Sequence, residues 1–190
     1  LSICKDKDGN IYAAGHFNKS NKLYVSKFNN NVWTTLGEFN TAPNAIPGSS
    51  YITSLCIDGS NNLYAAINHT GKCYVAKFDG NNWSELGGAN SLKADVITSI
   101  CNDKYGNIYA AGWIKNSNDN YYVAKYDGTT WSELGGTNAL KANQGINSIC
   151  VDALGNIYAA GLFTNSSNKH YVAKFNGTAW SEIGGLNGLA

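Results

Sequence analysis

The chain has 190 residues, 43% of them apolar, enough to bury a sizeable core. Charged residues make up 14% and the net charge is +1, which leaves no electrostatic footprint for nucleic acid or an anionic membrane surface. No apolar run approaches the ~18 residues of a membrane span, and no signal-peptide pattern opens the chain.

A unit of about 48 residues recurs four times, in the range of propeller repeats rather than helical ones. In chain order, Tyr-Ala-Ala begins at Tyr12, Tyr64, Tyr109 and Tyr158, and Tyr-Val-(Ala/Ser)-Lys ends at Lys27, Lys77, Lys125 and Lys174. A Trp follows each, at Trp33, Trp83, Trp131 and Trp180, with spacings of 50, 48 and 49. The third unit shows four strand-like runs rich in β-branched and aromatic residues, at 97–101, 107–111, 121–126 and 131–134. Turn chemistry separates them: Asp103-Lys104-Tyr105-Gly106-Asn107 after the first run and Asp127-Gly128-Thr129-Thr130 after the third. No stretch sustains a 3.6-residue period, so no helix is predicted.

Four antiparallel strands per repeat predict an all-β fold, a β-propeller with four four-stranded antiparallel blades. A β-trefoil needs three units rather than four, and a parallel β-helix would have rungs about half as long. The chain reads as a single domain or propeller segment over 1–190, with blades near 1–37, 52–87, 97–135 and 146–184. Residues 1–4 align with residues 53–56, so the chain is expected to be part of something longer.

The pattern running from Asp152 to Gly185, and in its three sister copies, is D-x-x-G-N-(I/L)-Y-A-A-G followed by Y-V-A-K-(F/Y)-(D/N)-G-x-x-W-S-E-(L/I)-G-G. It resembles the Asn/Gly-rich propeller repeats of bacterial proteins of unknown function, and its layout is similar to NHL-type repeats and to tachylectin-2-like propeller lectins. The resemblance implies that the first strand of each unit lines a central channel and the fourth lies outermost. No terminal strand is then left over to complete the opposite blade. Closure needs blade four on blade one, further blades, or self-association with a second copy.

Cys4, Cys56, Cys101 and Cys150 occupy one equivalent position per repeat, and Cys73 stands alone. Equivalent positions on neighbouring sheets lie about 10 Å apart, beyond the ~7 Å Cα limit of a disulfide. The four are expected to be reduced and buried, which leans towards a reducing compartment.

Alternating strand direction sorts the loops by rim. On the first rim the copies are monotonous, Asp6-Lys7-Asp8-Gly9 and its equivalents, which predicts turn geometry rather than a calcium loop. On the second rim they diverge. The candidate ligand-contacting residues there are His16, Phe17, Asn18, Asn68, His69, Trp113, Ile114, Lys115, Phe163 and Asn165; the bland alternative is that Phe17, Trp113 and Phe163 fill gaps between blades. The repeated Trp residues are expected to pack between blades, and Glu85, Glu133 and Glu182 to be solvated edge residues. His16, His69 and His170 share the second rim but not one repeat position, which argues against a common metal ion.

No nucleophile elbow, phosphate-cradling loop or paired metal motif appears. No catalytic residue, metal or cofactor is predicted. The expectation is a non-enzymatic binding module whose ligand is a protein or peptide on the variable rim. A carbohydrate-binding lectin is the first alternative, and a carboxylate-based carbohydrate-active enzyme the second.

Overall fold

The computed structural model describes residues 1–15, 18–19, 22–39, 50–88 and 91–184. The first unit forms β1 (Ser2–Lys5), β2 (Ile11–Ala14), a two-residue β3 (Asn18–Lys19), β4 (Lys22–Asn29) and β5 (Val32–Phe39). The second forms β6 (Tyr51–Ile57), β7 (Leu63–His69), β8 (Lys72–Phe78) and β9 (Trp83–Glu85). The third forms β10 (Val96–Asn102), β11 (Ile108–Trp113), β12 (Ala124–Tyr126) and β13 (Trp131–Glu133). The fourth forms β14 (Ile146–Val151), β15 (Ile157–Thr164), β16 (His170–Phe175) and β17 (Trp180–Glu182). Each unit is one antiparallel meander of four strands in chain order, with β3 added beside β4 in the first. No α-helix occurs among the described residues; a turn of 3-10 helix at Gly136–Asn138 lies in the linker to the fourth sheet. This is the all-β propeller architecture predicted from the repeat.

One acidic residue builds the first hairpin of every blade. Asp6 Oδ1 accepts the N–H groups of Asp8 and Asn10, while Oδ2 accepts the Asn10 amide and the Tyr12 hydroxyl at 2.7 and 2.9 Å. Asp58, Asp103 and Asp152 repeat the same four bonds. The turn needs a left-handed residue, supplied by Gly9, Asn61, Gly106 and Gly155 at φ between 64° and 88°. Across the next strand pair, the repeated Lys lies over the same Tyr ring in three copies, Lys27 on Tyr12, Lys77 on Tyr64 and Lys174 on Tyr158.

Each sheet has two chemically different faces. Cys56, Tyr64, Ala66, Val75 and Leu86 of the second blade form one cluster with Ile97, Ile100, Ile108, Ala110 and Ala124 of the third. The same pairing of faces joins the first blade to the second and the third to the fourth. The Ala pairs of the two inner blades are fully buried, 0% exposed at Ala65, Ala66, Ala110 and Ala111, where a larger side chain would hold the sheets apart.

Polar bonds stitch the same joints. Ser2, Ser54 and Ser99 Oγ accept the N–H of Leu55, Ile100 and Ile149 in the next blade at 2.9, 3.0 and 3.2 Å. A repeated bulge in the inner strand releases Thr53 and Thr98, whose hydroxyls donate to the Ile97 and Ile146 carbonyls at 2.7 Å. On the outer strands, the Trp83, Trp131 and Trp180 indole N–H groups donate to the Leu36, Leu86 and Leu134 carbonyls of the preceding blade. The repeated Trp is thus an inter-blade residue. Inner strands β1, β6, β10 and β14 pack in that order.

All five cysteines are free, but the expected burial fails in part. Cys56 is buried, Cys4 and Cys101 are half-buried, and Cys150 is exposed because no fifth sheet covers its face among the described residues. Burial pushes the Cys4 and Cys101 thiols up to about 12.

Burial raises the Asp6, Asp58 and Asp103 carboxyls, yet hydrogen bonds from the Asn side chain, the Tyr hydroxyl and two backbone N–H groups outweigh it and hold all three below the ordinary value. At Asp152 the Asn156 side-chain bond leads, and the carboxyl sits at about 2. Folded carboxylates therefore stay charged to lower pH than unfolded ones. Their stabilisation is present above the ordinary carboxylate range and is lost as pH falls through the lowered folded values, which for Asp152 means about 2. Urea unfolding between pH 6 and pH 2.5 should show this decline. Asp103→Asn should cost about 1–3 kcal/mol at neutral pH and flatten the decline; an unchanged midpoint at neutral pH would remove Asp103 from this role.

Candidate functional site

The variable rim is built by the β7–β8, β11–β12 and β15–β16 connections and by the linkers between blades. In the third and fourth blades an Asn organises the connection. Asn116 Oδ1 accepts the N–H groups of Asn118 and Asn120, and Asn165 Oδ1 accepts those of Ser167 and Lys169. The amide of each then donates to the repeated outer-strand Glu, Asn116 to Glu133 and Asn165 to Glu182, both at 3.0 Å. In the second blade the connection is the tight Thr70-Gly71 turn, and Lys72 pairs instead with Glu85 at 2.5 Å. These carboxylates are bonded into the rim, which corrects the expectation of solvated edge residues.

The expected contact residues separate sharply. His16 and Phe17 lie outside the described residues, and Asn18 is described only as backbone of β3. Ile114 and Phe163 are 0% exposed, so neither can touch a ligand. Asn68 is 2% exposed and clamps the next blade. Its Oδ1 accepts the Ile97 N–H and its Nδ2 donates to the Ile97 carbonyl, both at 2.8 Å. His69 Nδ1 shares a 2.5 Å hydrogen bond with Ser50 Oγ, and His170 Nδ1 lies 3.2 Å from the Phe163 carbonyl. Among the described residues no group of three His, Cys, Asp or Glu is placed to hold a metal ion.

Trp113 and Lys115 come together at a cleft of about 380 Å³ between the second and third blades, lined also by Lys72, Cys73, Leu92, Lys93 and Asp95. Its floor is buried, with Cys73 and Leu92 each 6% exposed. The linker is pinned across it: the Cys73 thiol donates to the Asp95 carbonyl at 3.0 Å, and the Asp95 N–H donates to the Trp113 carbonyl at 3.1 Å. Trp113 remains 41% exposed. One edge of its indole sits against Gly145, where a Cβ would come within 2.9 Å of Nε1, and the Tyr121 ring meets it edge-on at 6.1 Å. Lys115 lies over Tyr121 at 5.0 Å and pairs with Asp119 at 2.9 Å. An exposed indole thus stands among ammonium and carboxylate groups above an apolar floor.

A second cleft, about 670 Å³, lies between the last linker and the fourth blade and is lined by Lys141, Thr164, Asn165, Tyr171, Trp180 and Glu182 among others. Asn165 belongs to this cleft and not to the first. Lys72, Lys93 and Asp95 were not singled out from sequence. The signal that could have found them is strand direction, which places hairpin and linker on the same rim.

No family model matches the chain, and no curated protein matches it. NHL-type or Asn/Gly-rich repeat membership therefore gains no support there. Several solved propeller structures are similar. A gluconolactonase from Xanthomonas campestris superposes with a TM-score of 0.59 at 11% identity, over 84% of this chain and 52% of that one. A variant of the Aleuria aurantia lectin in complex with alpha-methyl-L-fucoside gives 0.60 at 19%, over 95% and 58%. A Hadza microbial sialidase gives 0.60 at 12%, over 96% and 45%. The chain thus spans about half the length of these proteins. At such identities the likeness is one of fold. The expectation that the chain is not an enzyme does not stand, because enzymes and a lectin are built alike on the architecture it shares. No helix among the described residues is long and apolar enough to cross a membrane.

Asn68→Ala leaves the Ile97 N–H without its partner inside the joint and the Ile97 carbonyl with the Thr53 hydroxyl alone, and should destabilise the fold by about 2 kcal/mol. Chemical denaturation reads this; a loss below about 0.5 kcal/mol would mean that another group replaces the clamp.

Proposed function

We propose that the variable rim binds a glycan, in the cleft between the second and third blades. One observation carries the reading: the exposed Trp113 beside Lys72, Lys93, Lys115 and Asp95 over a buried floor. A sugar ring offers an apolar C–H face edged by hydroxyls. An aromatic wall suits the face, and carboxylate and ammonium groups suit the hydroxyls. The cleft has the size of a small ligand site. The fold likeness to a fucoside-binding lectin supports the same reading. A protein or peptide ligand rests on loop divergence alone.

A second reading, chemistry on a sugar lactone, follows from the likeness to a gluconolactonase and from the exposed carboxylate of Asp95 in the same cleft. Turnover of an aldonolactone that is lost in Asp95→Asn would move the assignment from binding to catalysis.

A glycan array covering neutral and acidic sugars, followed by calorimetry on the best binder, tests the proposal. Trp113→Ala should weaken binding by about 2 kcal/mol, as loss of an aromatic anchor does. Lys93→Ala, at an exposed position, should weaken it with no change in thermal midpoint. Failure of the chain to retain any glycan, or retention unchanged by both substitutions, would refute the site.

A further inference from the structure

At the end of its second strand each blade has a rim residue that can reach the next blade. In the second blade it is Asn68, which bonds the backbone of Ile97, the buried residue that follows Val96. In the third blade the same register position holds Trp113, and its indole reaches Gly145, the residue before Ile146. Val96 and Gly145 are equivalent, so the larger rim residue faces the position that has no side chain.

Neither backbone is free to adjust at this contact. The Gly145 carbonyl accepts the Leu162 N–H at 2.9 Å, and Ile146 beside it is fully buried. The Trp113 carbonyl accepts the Asp95 N–H at 3.1 Å, and Trp113 pairs with Val96 in the β10–β11 ladder. A Cβ on Gly145 would come within 2.9 Å of Trp113 Nε1 and within 3.2 Å of Cδ1 and Cε2. All three atoms belong to the indole, so the ring would have to turn about its side-chain bonds. The Gly145 backbone lies outside the left-handed region, so alanine suits it.

We infer that Gly145, in the linker to the fourth blade, is a positioning residue for the cleft between the second and third blades. Its missing side chain lets the Trp113 indole lie with the Nε1 edge against the linker and the rest of the ring turned to the cleft. What the ring offers there is apolar surface held at one angle, the arrangement a sugar's C–H face requires. The inference rests on the reading of this cleft as a glycan site.

Fluorine NMR of the chain labelled with 5-fluorotryptophan tests it, with the Trp113 signal identified by its loss in Trp113→Phe. The probes are the methyl glycosides of glucose, galactose, mannose and fucose. At least one should shift the wild-type Trp113 signal in a saturable way. Gly145→Ala should displace that signal and leave the other indole signals and the thermal midpoint in place. It should also weaken binding of the same glycoside by about tenfold. An unmoved Trp113 signal, or a moved one with unchanged affinity, overturns the inference and leaves the cleft a glycan site. So does a fall in thermal midpoint with every indole signal disturbed, which would make Gly145 a packing residue only. A wild-type Trp113 signal that no glycoside shifts removes the glycan reading itself, and the inference with it.

Discussion

A short antiparallel meander has no interior of its own, and the whole structure depends on how one sheet covers the next. Here the covering is directional. The row of Cys, Tyr, Ala, Val and Leu always meets the row of Ile, Ala and aromatic residues. Alanines at the centre set a close approach, and the larger side chains fill the margins. Serine and threonine on the inner strands and tryptophan on the outer ones then fix the register of one sheet on the next at both ends of the joint. Polarity of this kind explains why the repeat tolerates different rim loops: the repeated Ser, Thr and Trp stitches lie on the strands, and Asn68 adds a clamp from the rim at one joint.

Within each blade the carboxylate of the first turn supplies the complementary constraint. It gathers two N–H groups, an amide and a phenol, so the turn and the start of the second strand are set from a single oxygen pair, and in three blades the same phenol ring carries the cross-strand lysine. The rigid first rim leaves the second rim as the place where chemistry can vary. There the cleft at Trp113 combines an exposed ring with charged groups on three segments distant in sequence.

The repeat made the fold legible because strand period and turn residues are local signals. Blade packing of the repeated Trp was legible for the same reason. Side-chain direction at the rim was not. Strand alternation continues past the end of the Tyr-Ala-Ala run, so Asn68, Trp113 and Leu162 share one register position, and His69, Ile114 and Phe163 share the next. Reading these loops as uniformly outward placed Ile114 and Phe163 at a surface they never reach. The carboxylates were misjudged because their partners lie seventeen residues back, at Asn116 and Asn165. Their absence in the second copy, where Gly71-Lys72 stands instead, was the visible clue. Equivalence of the four in-phase cysteines was sound as sequence, but burial belongs to the neighbour, and Cys150 lacks one.

Complementary sheet faces are the centre of this account, and hydrogen exchange at the joints within the chain tests them most plainly. Ser54→Ala should speed exchange of the Ile100 amide and Ser99→Ala that of the Ile149 amide, each at its own joint. Unchanged protection of both amides in the two variants would contradict it.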